Sequence, residues 1–79
     1  MAFMDYIESL DLVALLQDLP ELGLQRGDVG TVLEAFAHNQ HHPAGWLVEF
    51  FDAPRNTWQE VEITDHAQIM LLHMKRKAA

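Results

Sequence analysis

Alternation of apolar and polar residues marks four segments of the chain as β-strands. The clearest is TWQEVEI at residues 57–63, where Val61 and Ile63 alternate with two glutamates. GWLVEFFD at residues 45–52 and VGTVLEAFA at residues 29–37 are rich in β-branched and aromatic residues, which favour strands. AQIMLLHM closes the series after one helical turn at residues 64–68. Turn-like segments, HNQHHPAG and APRN, separate these runs.

The first apolar segment, MDYIESLDLVALLQ, fits two structures. Asp5 and Glu8 have the spacing of a helix capping box, which predicts a helix over residues 5–17. The alternative is a strand with Leu10, Leu12, Ala14 and Leu16 on one side and Asp11, Val13, Leu15 and Gln17 on the other. Periodicity alone does not decide between them.

The segment PELGLQRGDVG at residues 20–30 predicts a long turn between two strands. Pro20 cannot donate to a strand ladder, and Gly23 and Gly27 are suited to positive φ where the chain folds back. Gly30 would let two backbones approach closely. Such a turn between strongly bent strands is typical of a small SH3-like barrel. We therefore expect a mainly β domain, a small SH3-like barrel of four or five antiparallel strands.

Several of these residues together resemble a bacterial family of unknown function, the domain of unknown function 4926. They are Leu19-Pro20, Gly23-Leu24, the run Gly27-Asp28-Val29-Gly30-Thr31-Val32 with Glu34, and Val48-Glu49-Phe50 with Asp52. The resemblance covers roughly residues 10–72. It implies an SH3-like fold, favours a strand for the first segment after a short helical turn at residues 5–9, and implies no catalytic residues. The chain departs from the family pattern in its longer loop at residues 39–44 and in APRN.

Size and composition predict one domain that needs support. The 79 residues divide into an N-terminal extension (1–9), the barrel (10–74) and a basic tail (75–79). Domains this small often depend on disulfides, metals or oligomerisation, and the chain has no cysteine. Homo-oligomerisation is therefore expected. The chain contains no run of about 20 apolar residues, so no membrane span is predicted. Its N-terminus is acidic and does not resemble a signal peptide. We expect a cytoplasmic protein.

Charge excludes nucleic acid as the expected partner. The net charge is −7, and three of the five basic residues form the tail Lys75-Arg76-Lys77. Residues 1–74 carry 12 acidic and two basic residues. Phosphate binding needs clustered cations, so the body of the domain would repel a duplex.

The apolar pattern predicts a buried interface. WLVEFF and IMLLHM carry apolar residues on both sides, whereas a lone barrel needs only one apolar side. If the second side were exposed to solvent, its apolar area would exceed the few hundred Å² that monomers usually expose in one patch. The N-terminal segment, an identical subunit or a different protein could cover it. The candidate interaction residues are Trp46, Phe51, Trp58, Met70, Leu72 and Met74.

Acidic residues on consecutive strands indicate a second component of this interface. They are Glu34, Glu49, Glu60 and Glu62. If the strand register makes them neighbours, their like charges repel, and a basic protein surface would relieve the repulsion. Simple solubilisation of an outer side is the alternative interpretation.

Histidines supply the remaining candidate chemistry. His38, His41 and His42 could bind zinc or nickel together with Asp52 or Asp65, although their spacing matches no standard site. The single serine has no partner at catalytic spacing, so we expect no enzyme activity and no cofactor. The sequence thus predicts a non-catalytic interaction module that self-associates and binds a basic partner, as antitoxin-like or immunity-like accessory proteins do. The alternative is a metal- or ligand-binding domain.

Overall fold

A computed structural model describes residues 7–73, which form one five-stranded β-sheet and two short 3-10 turns. The strands are β1 (Leu12–Leu15), β2 (Val29–Phe36), β3 (Gly45–Asp52), β4 (Thr57–Ile63) and β5 (Ile69–His73). The 3-10 turns span Pro20–Leu22 and His66–Gln68. The structure confirms a mainly β fold of five antiparallel strands, while the SH3-like barrel type stays a prediction.

The strand order is β4-β3-β2-β1-β5, and every neighbouring pair is antiparallel. Strands β1 to β4 each pair with the next strand along the chain, and β5 returns to pair with β1. The β3–β4 register is continuous from Trp46 opposite Ile63 to Asp52 opposite Thr57. The β2–β3 register shifts by one residue between Val32 and Glu34, as at a β-bulge.

The core is formed by the inward-facing residues of all five strands and by apolar residues that flank them. Its largest fully buried apolar side chains are Phe50, Leu15, Ile63, Val13, Val32 and Val48. Because side chains alternate between the two sides of a strand, this inner set fixes which residues face outward. We call the opposite side of the sheet its outer side.

The first segment is a strand, so the helix over residues 5–17 is wrong for the residues that the structure describes. Val13 and Leu15 face the core, and β1 pairs with β2 on one edge and β5 on the other. Tertiary pairing on both edges therefore decides what periodicity left open. The helical turn expected at residues 5–9 begins outside the described residues, and a turn is present at Ser9 and Leu10.

Asp11 is a fully buried carboxylate at the start of β1. Its Oδ2 accepts a hydrogen bond of 2.8 Å from the backbone N–H of Glu8. Its backbone carbonyl accepts a 2.9 Å bond from the N–H of Val32. Leu10, immediately before it, has a φ of 76°, which is costly for a residue with a branched side chain.

The glycine-rich segment has the backbone conformation that the sequence predicts. Gly23 ends the first 3-10 turn with a φ of 73°, and Gly27 has a φ of 94°. Gly30 lies under Val48 and Phe50, where a Cβ atom would come within 2.9 Å of both side chains and of a backbone oxygen. The other predicted boundaries are close: β2 ends at Phe36 instead of residue 37, and the turn expected at residues 64–68 is His66–Gln68. No helix within residues 7–73 has the length and apolar character needed to cross a bilayer.

Candidate interaction surface

The β3–β4 hairpin places two aromatic and two acidic residues together on the outer side of the sheet. Phe51 lies opposite Trp58, and Glu49 lies directly opposite Glu60. Residues two apart on a strand share a side, so these two cross-strand pairs are adjacent. We call this group of four the acidic–aromatic face.

The aromatic pair is open to solvent. Trp58 is 62% exposed and Phe51 is 45% exposed. Their ring centroids are 4.9 Å apart at an interplanar angle of 58°, a tilted arrangement favoured by aromatic quadrupoles. The inner side of the same hairpin is filled by Val48, Phe50 and Val61. The two rings therefore pack against each other and are not part of the core.

Two further glutamates extend the negative charge along the hairpin. Glu34 and Glu62 both lie opposite Leu47, one on each neighbouring strand. The bulge in β2 contributes to this placement, because it shifts the residues after Val32 relative to β3. The Oε2 atom of Glu62 is 2.5 Å from Nε2 of His42.

His42 is held in place by three contacts. Its Nδ1 lies 2.6 Å from the carbonyl oxygen of Pro43, its Nε2 faces Glu62, and its ring lies 4.9 Å from that of Phe36. A carbonyl and a carboxylate both accept hydrogen bonds, so these two contacts hold the imidazole ring beside the Glu62 carboxylate. The Glu49–Glu60 pair has no such histidine contact among those seen for His42.

A shallow cleft of about 280 Å³ adjoins the acidic–aromatic face. Phe51 lines it together with two carboxylate residues, Asp28 and Asp52. Asp28 accepts a hydrogen bond from the N–H of Gln25, which fixes its carboxylate. Asp52 is only 3.8 Å from the Nε atom of Arg55, whose side chain is 80% exposed. The cleft thus combines an aromatic ring with two carboxylates.

Trp46 has a different environment from Trp58. It is half-buried against the core, and its Nε1–H donates a 3.0 Å hydrogen bond to the carbonyl oxygen of Ile7. Ile7 itself is buried. Trp46 lies opposite the buried Ile63, on the inner side of the sheet, so it does not belong to the outward apolar surface for which a cover was expected.

Met70 and Leu72 lie on the outer side of β5 and are 45% and 48% exposed. They are separated from the acidic–aromatic face by β1 and β2 in the sheet order. Met74, the last of the candidate interaction residues, lies outside the described residues.

The histidine-rich loop is arranged around hydrogen bonds. The N–H of His41 donates to Oδ1 of Asn39, and His41 Nε2 lies 3.1 Å from Nε2 of Gln40. Within residues 7–73, no group of three or more histidine, aspartate or glutamate side chains is placed to hold a metal ion. His38 is exposed in the same loop. The carboxylates suggested as co-ligands have other partners: Asp52 is near Arg55, and Asp65 accepts a hydrogen bond from the N–H of Ala67.

Sequence reasoning missed the exposed side chain of Val29. It is 50% exposed and lies opposite Ala14, on the same outer side as the aromatic pair. The alternation along β2 could have indicated this exposure, since Gly30 and Val32 face the core and Val29 therefore faces outward. The register of β2 against its neighbouring strands could not be read from the sequence.

The match to a family model decides the relationship of this chain to other proteins. The model for the domain of unknown function DUF4926 matches residues 9–70. The chain belongs to the DUF4926 family. This DUF4926 domain gives no match when compared with curated proteins and with solved structures. The family description names no activity, so the function must be argued from the residues of the DUF4926 domain itself.

Proposed function

We propose that this DUF4926 domain is a non-catalytic protein-interaction module whose acidic–aromatic face binds a basic segment of another protein. The observation that carries the proposal is the exposed Phe51–Trp58 pair beside the directly opposed Glu49 and Glu60. An accessory that neutralises a basic protein, as an antitoxin or immunity protein does, would use such a face.

The aromatic pair would supply the apolar part of the binding energy. Aromatic residues, tryptophan above all, are frequent among the few residues that dominate interface energetics. Trp58 and Phe51 already contact each other in a tilted arrangement, so less side-chain freedom is lost when a partner covers them. Burial of one such side chain contributes about 1.5–3 kcal/mol in transfer terms.

The glutamate pair would select the charge of the partner. Two carboxylates directly opposite one another on neighbouring strands repel, and a lysine or arginine placed between them relieves that repulsion. The excess of acidic residues over residues 1–74, 12 against two, attracts cations to the same surface from a distance. Charge of this kind raises association rates and rejects acidic partners.

The adjoining cleft would accept a cationic side chain. An arginine over the ring of Phe51 would gain a cation–π contact and would lie close to Asp28 and Asp52. The four residues of the face include no hydroxyl, imidazole or amine, and its two carboxylates would bind cations.

The experiment is a calorimetric titration with a defined basic peptide. The titrant is a ten-residue peptide of alternating lysine and threonine with one central arginine, and its counterpart carries glutamate in place of each cation. We expect the domain to bind the basic peptide and to ignore the acidic one. The variant Glu49→Gln/Glu60→Gln should bind about five- to tenfold more weakly, because two surface ion pairs of about 0.5–0.7 kcal/mol each are lost.

The matched control is Glu21→Gln, which removes one exposed carboxylate from the first 3-10 turn. Its affinity should fall by less than twofold, since only the long-range field changes. Trp58→Ala should weaken binding without any change in net charge. Equal affinities for the wild type and the Glu49→Gln/Glu60→Gln variant would contradict the proposal, as would equal binding of the two peptides.

A further inference from the structure

The outer side of β1 and β5 is a second surface, and it is apolar. Leu12 and Ala14 of β1 lie beside Met70 and Leu72 of β5, with Ala14 directly opposite Met70. Met70 and Leu72 provide most of its exposed area, because Leu12 is partly buried and Ala14 is buried, at 8% exposed. We call these four residues the apolar face. Its side chains do not belong to the core cluster, which takes the alternate residues Val13, Leu15, Ile69 and Leu71 of the same strands.

The exposure of the apolar face is unusual for an edge of a sheet. Met70 and Leu72 are each almost half exposed, and within residues 7–73 β5 pairs only with β1. Edge strands are ordinarily protected by charge, proline or a bulge, because an apolar edge invites association. The segment Ile69 to Leu72 contains no charged residue and no proline, and its protection is limited to a register shift against β1 between Leu12 and Val13. Leu16, which follows β1, adds a further side chain that is 40% exposed.

We propose that two copies of this chain associate symmetrically by packing their apolar faces against each other. A twofold contact brings the same residues together from both copies, so the surface must be complementary to itself. The apolar face meets this condition, because it carries no charge. The acidic–aromatic face does not, because the same symmetry would bring the glutamates of both copies together.

Charge also distinguishes a second copy from a basic partner at this surface. A cationic protein would gain no ion pair on Leu12, Ala14, Met70 and Leu72, whereas an identical apolar face gains full burial of matching side chains. The small size of the domain adds to the argument, since a chain of 79 residues without cysteine gains a larger shared core by association. The dimer leaves the acidic–aromatic face open, so this proposal stands independently of the proposed function.

Sedimentation velocity of the full chain between about 1 and 500 µM tests the proposal, a range chosen to cover dissociation constants from about 1 µM to a few hundred µM. We expect the wild type to shift from monomer to dimer across this range. Leu72→Lys and, separately, Met70→Lys should weaken the dimer at least about tenfold, because each places a charge in an apolar contact. The control is Leu22→Lys, which replaces an equally apolar side chain, 38% exposed, in the first 3-10 turn.

Both lysine variants replace exposed side chains, and circular dichroism will establish that each retains its β-sheet. A wild type that stays monomeric at every concentration would overturn the proposal. So would a dimer of unchanged affinity in both Leu72→Lys and Met70→Lys. A dimer lost equally in Leu22→Lys would also overturn it, because the contact would then not lie on the apolar face.

Discussion

Glu49 and Glu60 should cost this domain stability, and removing either charge should increase the free energy of unfolding. The two residues are a direct cross-strand pair on β3 and β4. Glu60→Gln keeps the length and shape of the side chain and removes only its charge. If the acidic–aromatic face is kept for binding, the same substitution should stabilise the fold and weaken the affinity for a basic peptide.

The magnitude follows from the geometry of the pair. Directly opposed like charges on neighbouring strands lie about 4.5–5.5 Å apart at Cβ and cost about 0.2–1 kcal/mol. Glu60 is exposed and Glu49 partly so, and solvent screening places the value at about 0.3–0.5 kcal/mol. For a domain of this size that gain corresponds to a rise in melting temperature of about 1–4 °C.

The assay is thermal unfolding followed by circular dichroism, at one fixed protein concentration because any self-association alters the melting temperature. Glu49→Gln, Glu60→Gln and the double variant are compared at about 10 mM and 1 M NaCl, where the screening length falls from about 30 Å to 3 Å. Glu21→Gln measures the general benefit of lowering the net charge and is subtracted.

The double-mutant cycle separates the pair from its surroundings. Because either substitution alone removes the repulsion, the double variant should gain less than the sum of the two single gains. In 1 M NaCl most of the gain should disappear. A destabilised Glu60→Gln variant, strictly additive gains, or a gain that persists in 1 M NaCl would refute the reasoning.

Three other substitutions or additions give further expected outcomes. Gly45→Ala should lower the free energy of unfolding by about 2–3 kcal/mol in urea titrations, because its Cβ would collide with the backbone oxygen of Ile63 and with Thr64; a loss below half of that would contradict the contact. Leu10→Gly should raise it by about 0.5–1 kcal/mol, since the strained φ of 76° is relieved while a mostly exposed side chain is lost; a less stable variant would show that the leucine side chain matters. Zinc or nickel should leave the melting temperature within about 1 °C, because a ligand that binds only the folded state would raise it; a larger rise would favour a metal site in the histidine-rich loop.

The strands that could be predicted are those with one clearly apolar side. β3 and β4 have the predicted bounds, because polar residues interrupt their outer sides at Glu49, Glu60 and Glu62. β1 was ambiguous because leucine occupies both of its sides, so helix and strand periodicities fit equally. Its identity depends on pairing with β5, nearly sixty positions away. Such pairing is not visible in a local pattern.

The composition of the candidate surface could be predicted, but its arrangement could not. The sequence identified the exposed aromatics and the glutamates as candidates, whereas their pairing depends on strand register. That register is set by the bulge after Val32 and by the length of the turn after Asp52. The two tryptophans show the same limit, because Trp46 packs against the core and is bonded to Ile7, 39 positions away, whereas Trp58 lies on the outer side.

Those two tryptophans provide the most direct measurement of the central claim. In a nitrogen–proton correlation spectrum of the labelled domain, each indole N–H gives its own signal, and the basic lysine–threonine peptide is added stepwise. If the acidic–aromatic face is the binding surface, the signal of Trp58 will move with the peptide while that of Trp46, bonded to Ile7, stays in place. A stationary Trp58 signal at peptide saturation would contradict the account.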